Sequence, residues 1–262
     1  VMYSQRLAPD VNHLLRGLPR DDWEAISNHL ELVRLRPGQL LTDCGQHTNH
    51  VYFPTTAVVS MLSFLEDATT VEIATVGNEG MVGIPVVTGG NAMPYRLEVH
   101  TPGFGYRLAA NKLRQELLRS PAILRLTLLY VQALLTQIAQ TAVCNRYHSL
   151  NQQVCRWLLL AVDRLCSNEI AITQQVIATK LGVRREGVTE AARKLADLGL
   201  IHYSRGHITV IDRVRLELHV CECYGLVRRE YGRLLSNGDG GPALPERLGH
   251  ARALAVCAHH AH

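Results

Sequence analysis

Residues 172–212 read ITQQVIATKLGVRREGVTEAARKLADLGLIHYSRGHITVID. The spacing predicts a short helix over 174–181. Thr173 stands before it as a cap, because its hydroxyl can accept from a free N–H of the first turn. Gly182 then suits a left-handed turn, which residues with a Cβ disfavour. Ala178, four residues earlier, is small enough to let two helices cross closely. A second helix is predicted over 184–198, closed by Gly199. Val188, Ala192, Leu195 and Leu198 recur on one face of it as an apolar stripe. Arg185, Glu186, Thr189, Glu190 and Arg193 gather on the other. Leu200 and Ile201 then open a strand, Ser204-Arg205-Gly206-His207 turn it, and Ile208 and Val210 return it. Helix, glycine turn, helix and basic-tipped hairpin in this order make a winged helix-turn-helix.

That pattern carries a chemistry. Arginine can hold guanine O6 and N7 together, and glutamate can accept from cytosine N4. A cation at a hairpin tip suits phosphate. The plainer reading is a helix pair in a larger core with a solvated charged face, and the co-occurrence of all four parts argues against it. The expectation is double-stranded DNA as partner, with Arg185, Glu186, Thr189 and Glu190 towards bases.

The chain has 262 residues, 47% of them apolar and 19% charged, with a net charge of +4. This is a globular composition with room for one large or two small cores. The mild basicity permits nucleic acid without requiring it. No apolar run approaches the ~20 residues of a membrane span, and VMYSQRLAPD lacks the apolar stretch of a signal peptide. The expected location is the cytoplasm, with no membrane partner. Seven scattered cysteines then read as reduced thiols. Cys221 and Cys223 fall in a helical pattern, where positions i and i+2 point about 200° apart. They are not expected to bind metal together unless the helix breaks. His259, His260 and His262 read as a disordered tail. No Gly-rich phosphate loop, metal triad or nucleophile elbow is found, so no catalytic residues are expected.

Upstream, 23–32 has helical character, and from Arg36-Pro37-Gly38-Gln39 the texture becomes β. Strands are expected over 51–53, 58–64, 69–76 and 97–101, separated by turn residues, as in a small barrel or roll. Ser120-Pro121 opens a long helix. Its Leu124, Leu128, Val131, Leu135, Ile138 and Ala142 recur at alternating spacings of four and three, an a/d seam. Ile123, Leu126, Ala133 and Leu134 form a second apolar side. Two apolar sides require two partners: the roll, and the same helix of a second copy. Another helix is expected over 150–165, and one continuous helix over 213–235, ended by Ser236-Asn237-Gly238.

The fold class is therefore α+β: an N-terminal jelly-roll-like β-roll with a leading helix (1–115), a dimerisation helix (118–146), a winged helix-turn-helix (147–213) and an appended helix with tail (214–262). This order resembles the Crp/Fnr family of bacterial transcription regulators over about 14–212. The motif LGVRREGVTEAARKLADLGLI carries the resemblance best, supported by Arg-Pro-Gly-Gln and by Gly77-Asn78-Glu79-Gly80-Met81-Val82-Gly83. The resemblance implies a homodimer reading a palindrome under control of a signal sensed by the roll, and RNA polymerase as partner if it activates. It implies base reading by Arg185-Glu186, with Glu190 where members often carry a further Arg. It places Thr173, Gln174, Arg184, Arg205 and His207 at phosphates, with Arg193 beside them on the exposed face. Members that bind cyclic AMP have a Gly-Glu pair and an Arg-Ser or Arg-Thr pair in the roll. Here Gly83 precedes Ile84-Pro85, and Tyr95-Arg96 precede Leu97. Gly83, Ile84, Tyr95 and Arg96 are the candidate effector residues, but the ribose lacks its acidic acceptor, so a classical cyclic-nucleotide site is not expected. Clustered N-terminal cysteines for an iron–sulfur sensor are missing, and haem on His47, His50 or His100 is likewise disfavoured. No cofactor is predicted. The competing reading is a ligand- or partner-binding module whose helix-turn-helix is vestigial.

Overall fold

The computed structural model describes residues 8–66, 70–165, 167–204 and 206–235. Arg205, the break from Ser236 onward and the terminal histidines lie outside them. A 3-10 turn, Pro9–Val11, leads into α1 (His13–Arg16) and α2 (Arg20–Ser27). Asn12 caps α1 by accepting from Leu14 and Leu15 N–H, and its amide donates to the carbonyls of Pro54 and Gly80.

The roll follows: β1 (Glu31–Leu35), β2 (Leu40–Thr42), β3 (His50–Pro54), β4 (Val58–Phe64), β5 (Thr70–Val76), α3 (Pro85–Thr88), β6 (Arg96–Thr101) and β7 (Gly103–Ala109). All pairings are antiparallel, in sheets ordered β1-β7-β3 and β2-β6-β4-β5. Both sheets contribute to one core: Val51, Phe53 and Leu108 from the first, Val59, Met61, Val76 and Leu97 from the second. Three of these strands go beyond the sequence reading. β1 replaces the end of the helix expected over 23–32; the helix stops at Ser27, and Leu32 pairs with Tyr106. β2 and β7 are too short or too glycine-rich to announce themselves by alternation.

α4 (Ala110–Arg119) leads to α5 (Pro121–Tyr147), capped by the Ser120 hydroxyl on Ile123 N–H. Ile123, Leu126, Tyr130, Ala133, Leu134 and Gln137 are buried against the roll. The predicted seam lies elsewhere on the helix: Leu124, Leu128 and Leu135 are 37%, 48% and 61% exposed, Val131 and Ile138 half-buried, Ala142 exposed. By length and composition α5 could cross a membrane, although polar residues interrupt its apolar runs. Its apolar residues instead divide between the roll and this outward stripe.

α6 (Leu150–Leu165), β8 (Glu169–Ala171), α7 (Gln174–Leu181), α8 (Arg185–Asp197), β9 (Ile201–Ser204) and β10 (His207–Val210) build the second core. The hairpin gains a third strand that the sequence reading lacked, giving the sheet β8-β10-β9. α9 (Arg213–His219) packs on α6, and α10 (Glu222–Leu235) runs along α5. The single helix expected over 213–235 is thus two. Val220, with ψ 156°, is extended and breaks it.

A register slip positions the joint between the two cores. Strict alternation would place Glu72 beside Ala74 and Val76, in the roll interior. The β4–β5 register shifts between Met61 and Leu62, so Glu72 opposes Leu62 and lies on the side of Ser60. There it accepts from Ser60 Oγ (2.6 Å), from Trp157 Nε1 of α6 (3.1 Å) and from Lys180 Nζ of α7 (2.5 Å). Lys180 also donates to Ser60 Oγ at 2.7 Å. Burial pushes the Glu72 carboxyl up, but the Lys180 charge and these hydrogen bonds outweigh it and hold it below the usual carboxylate value. A second buried link joins Arg164 of α6 to Glu79 of the roll (2.6 Å) and to Gln137 of α5 (2.7 Å).

Removing one partner of a buried pair strands the other charge. Glu72→Gln is expected to cost about 3–5 kcal/mol, while Glu72→Leu with Lys180→Met costs far less. Urea unfolding of the two variants at pH 7 measures the difference. A second prediction concerns His100, whose ring lies 5.8 Å from Trp157 with Nε2 buried and, among the described residues, unpartnered. Burial, followed by the Lys180 charge, lowers its pKa to about 4. The folded state then binds fewer protons than the unfolded chain, so stability falls as pH drops from about 6.5 towards 4. His100→Leu should flatten that part of a urea-midpoint-against-pH profile.

Candidate nucleic-acid interface

Thr173 Oγ1 accepts from Val176 N–H and caps α7. Gly182 takes φ +67° at the turn, and its N–H closes on the Thr179 carbonyl. Gly199 takes φ +69° after α8. Ala178 and Val188 are both fully buried where α7 and α8 cross. Gly187 faces α6 so closely that an added Cβ would stand 2.7 Å from Leu150 Cδ2. The buried stripe of α8 is Val188, Ala191, Ala192 and Leu195. Leu198, expected in it, is 45% exposed, because the helix ends before that residue completes a turn.

The opposite face is open. Arg185, Glu186, Thr189, Glu190 and Arg193 are exposed and line one concavity with Gln174. Among the described residues, the side chains of Arg185, Glu186 and Arg193 have no ion-pair partner. Thr189 donates to Gln174 Oε1 at 2.7 Å, tying the start of α7 to the middle of α8. Glu190 pairs with Lys194 at 2.7 Å, and that hydrogen bond and charge lower its pKa. Lys194 did not figure among the expected site residues, although its i+4 spacing from Glu190 is visible in the sequence. Thr173, Arg184 and His207 are exposed around the same face, and Gln174 half-buried; Arg205 lies outside the described residues.

The effector candidates are arranged differently from a ready anion site. Arg96 makes a two-pronged ion pair with Asp43, Nε to Oδ1 at 2.9 Å and Nη2 to Oδ2 at 3.2 Å, and lies over the Phe64 ring at 4.4 Å. The Arg96 hydrogen bond holds the Asp43 carboxyl below its ordinary value. Tyr95 packs on the roll core, where burial raises its pKa to about 12. Gly83 takes φ +109° against Val51, and Ile84 precedes α3. A narrow cleft lies instead where the roll meets α6 and α7, lined by Glu72, His100, Trp157 and Lys180.

Residues 152–218 match the family model of the Crp-like helix-turn-helix domain. The chain carries a Crp-like helix-turn-helix domain on a Crp/Fnr fold. A regulator of the Crp/Fnr family from Eubacterium rectale superposes with a TM-score of 0.61 at 19% identity, over 78% of this chain and 96% of that one. FixK2 from Bradyrhizobium japonicum gives 0.62 at 16%, over 73% and 98%. The c-di-GMP-responsive global regulator CLP of Xanthomonas campestris gives 0.56 at 15%, over 73% and 99%. Comparison with curated proteins gives no match.

The Crp-like turn depends on Gly182. Gly182→Ala is expected to lower stability by about 1–2 kcal/mol and Gly182→Asn by less, because asparagine tolerates the left-handed region. Thermal unfolding of the two variants checks the order.

Proposed function

We propose that this chain is a homodimeric, sequence-specific DNA-binding transcription regulator acting in the cytoplasm. The observation that carries it is the α8 face, where Arg185 and Glu186 project, exposed and without ion-pair partners among the described residues, from the first turn of the helix. Two unspent hydrogen-bonding groups on a rigid helix are what base reading requires. Glu186 and Arg185 take base edges, Thr189 positions Gln174, and Thr173, Arg184, Arg193, Arg205 and His207 meet the phosphates.

The second copy docks along Leu124, Leu128, Val131, Leu135, Ile138 and Ala142. An apolar heptad seam of this length, left open on a helix whose other side is buried, fits a parallel partner helix. Two-fold pairing sets the α8 helices into successive major grooves, ~34 Å apart, and makes the operator a palindrome. The division of labour is then a sensing roll, a dimerising α5 and a reading domain over 147–213. The similar Xanthomonas regulator is described as responsive to c-di-GMP. In this chain a phosphate reaching Arg96 must displace Asp43, so that arginine is a closed position for an anion.

Two measurements test the reading. Selection of sites from random duplexes should return a palindrome, and Arg185→Ala should weaken operator binding by about 10-fold or more while leaving binding to random DNA unchanged. Equal discrimination by the variant and the parent would sink base reading by α8. Sedimentation should show a dimer that Leu128→Glu with Leu135→Glu converts to a folded monomer.

A further inference from the structure

Four metal-ligating side chains that the function above does not use meet at one point. Cys144 lies in the last turn of α5 and His148 is its C-cap, four residues on, so both point from one side of the helix end. Cys221 and Cys223 come from the junction of α9 and α10. A continuous helix would hold those two thiols about 200° apart. The extended Val220 breaks the helix, and both turn to the same place. The four ligand atoms all lie within 4.8 Å of one another, the three thiols buried and His148 half-buried.

The distances match a single tetrahedral ion. Metal–sulfur bonds of ~2.3 Å and a metal–nitrogen bond of ~2.05 Å set tetrahedral edges of ~3.8 Å between sulfurs and ~3.5 Å between sulfur and nitrogen. Here Cys144 Sγ stands 3.6 Å from Cys221 Sγ, and Cys223 Sγ stands 3.5 Å from His148 Nδ1. An iron–sulfur cluster spreads its four ligands over two or more irons, so ligand atoms on different irons stand farther apart than the 4.8 Å that spans this set. Three soft sulfurs and one imidazole suit a borderline-soft divalent ion.

The surroundings are those of a ligand set. His148 Nε2 lies 3.3 Å from the Glu222 carboxylate, which would fix the ring with Nδ1 turned to the ion. Gln153 Nε2 donates to the carbonyls of both His148 (2.9 Å) and Cys144 (3.4 Å), holding the first pair of ligands in place. Arg156, buried and bonded to Thr141 Oγ1 one turn before Cys144, keeps its Nε unpartnered among the described residues. A guanidinium there offsets the single negative charge left by three thiolates and a divalent cation.

We propose that Cys144, His148, Cys221 and Cys223 form a Cys3His site for one divalent zinc-like ion. On binding, the three thiol protons leave to solvent and the imidazole binds as the neutral ring. The ion would tie the C-terminal helix pair to the point where α5 hands over to α6. It therefore clamps the hinge between the dimer helix and the reading domain.

The test uses the full chain, reduced and stripped with a strong chelator, titrated with Co2+ as the probe. One equivalent should give thiolate-to-cobalt charge transfer in the near ultraviolet with intense tetrahedral d–d bands, and Zn2+ should abolish both. Cys44→Ser, whose exposed thiol is remote in the roll, should leave the spectrum unchanged, while Cys223→Ser should shift or remove it. Histidines alone give no thiolate band, so metal held by His259, His260 or His262 is told apart. A weak six-coordinate spectrum without charge transfer overturns the proposal. So does a full-intensity spectrum that survives serine at each of Cys144, Cys221 and Cys223.

Discussion

The two cores of this molecule are held in one arrangement by a buried carboxylate that neither could satisfy alone. Glu72 belongs to the roll, but of its three side-chain donors only Ser60 does; Trp157 and Lys180 come from α6 and α7. Separating the helix-turn-helix domain from the roll would expose Lys180 to water and leave the roll with a carboxylate that had lost two of its partners. Such pairs add little net stability over an apolar equivalent, but they penalise every arrangement in which they are unmatched. The joint specifies orientation. The register slip in β5 is what makes it, since without it Glu72 would face an apolar interior.

Around that joint, α5 is the common wall. Its inner side meets the roll through Tyr130, whose hydroxyl donates to the Met81 carbonyl. Gly80 is glycine because a Cβ there would stand 2.2 Å from the Tyr130 ring. Farther along, Gln137 donates to the Thr75 carbonyl of β5 and accepts from Arg164 of α6 and Tyr231 of α10. One side chain thus touches the roll, the helix-turn-helix domain and the C-terminal helix. The outward stripe of α5 is the side that none of these fully covers, and that leftover side is where the sequence had placed the seam.

What was legible in the chain was local. Thr173, Gly182, Gly199, Ser120 and Pro121 act within one turn of themselves, so their identities announce helix ends and turns directly. The α6 boundaries and the two-sided α5 follow from periodicity alone. What was illegible depended on partners distant in sequence. Arg96 looked like a free phosphate ligand because Asp43 is 53 residues away. β8 is three residues long and becomes a strand only by pairing with β10. Cys221 and Cys223 look incapable of converging because the apolar positions over 213–235 fit one continuous helix, and nothing in the local pattern marks Val220 as its break. Their partners Cys144 and His148 carry a visible i,i+4 spacing, but nothing local links it to a Cys-x-Cys more than seventy residues later.

The same distinction governs charge. By composition the 172–212 segment has six cations against four anions, a modest excess for a DNA reader. The structure sorts them differently. Lys180 is turned inward and neutralised by Glu72, and Lys194 lies against Glu190. What faces outward unpaired, among the described residues, is Arg184, Arg185 and Arg193. Each phosphate neutralised on binding contributes about 0.9 to the logarithmic salt slope, and a cation already spent on a carboxylate contributes little. Counting residues therefore overstates the electrostatic grip of this domain. On the proposed reading, affinity for DNA rests more on the hydrogen-bonding pair at the start of α8 and on two-fold repetition than on charge. That is the balance expected of a module that distinguishes sites rather than one that coats DNA.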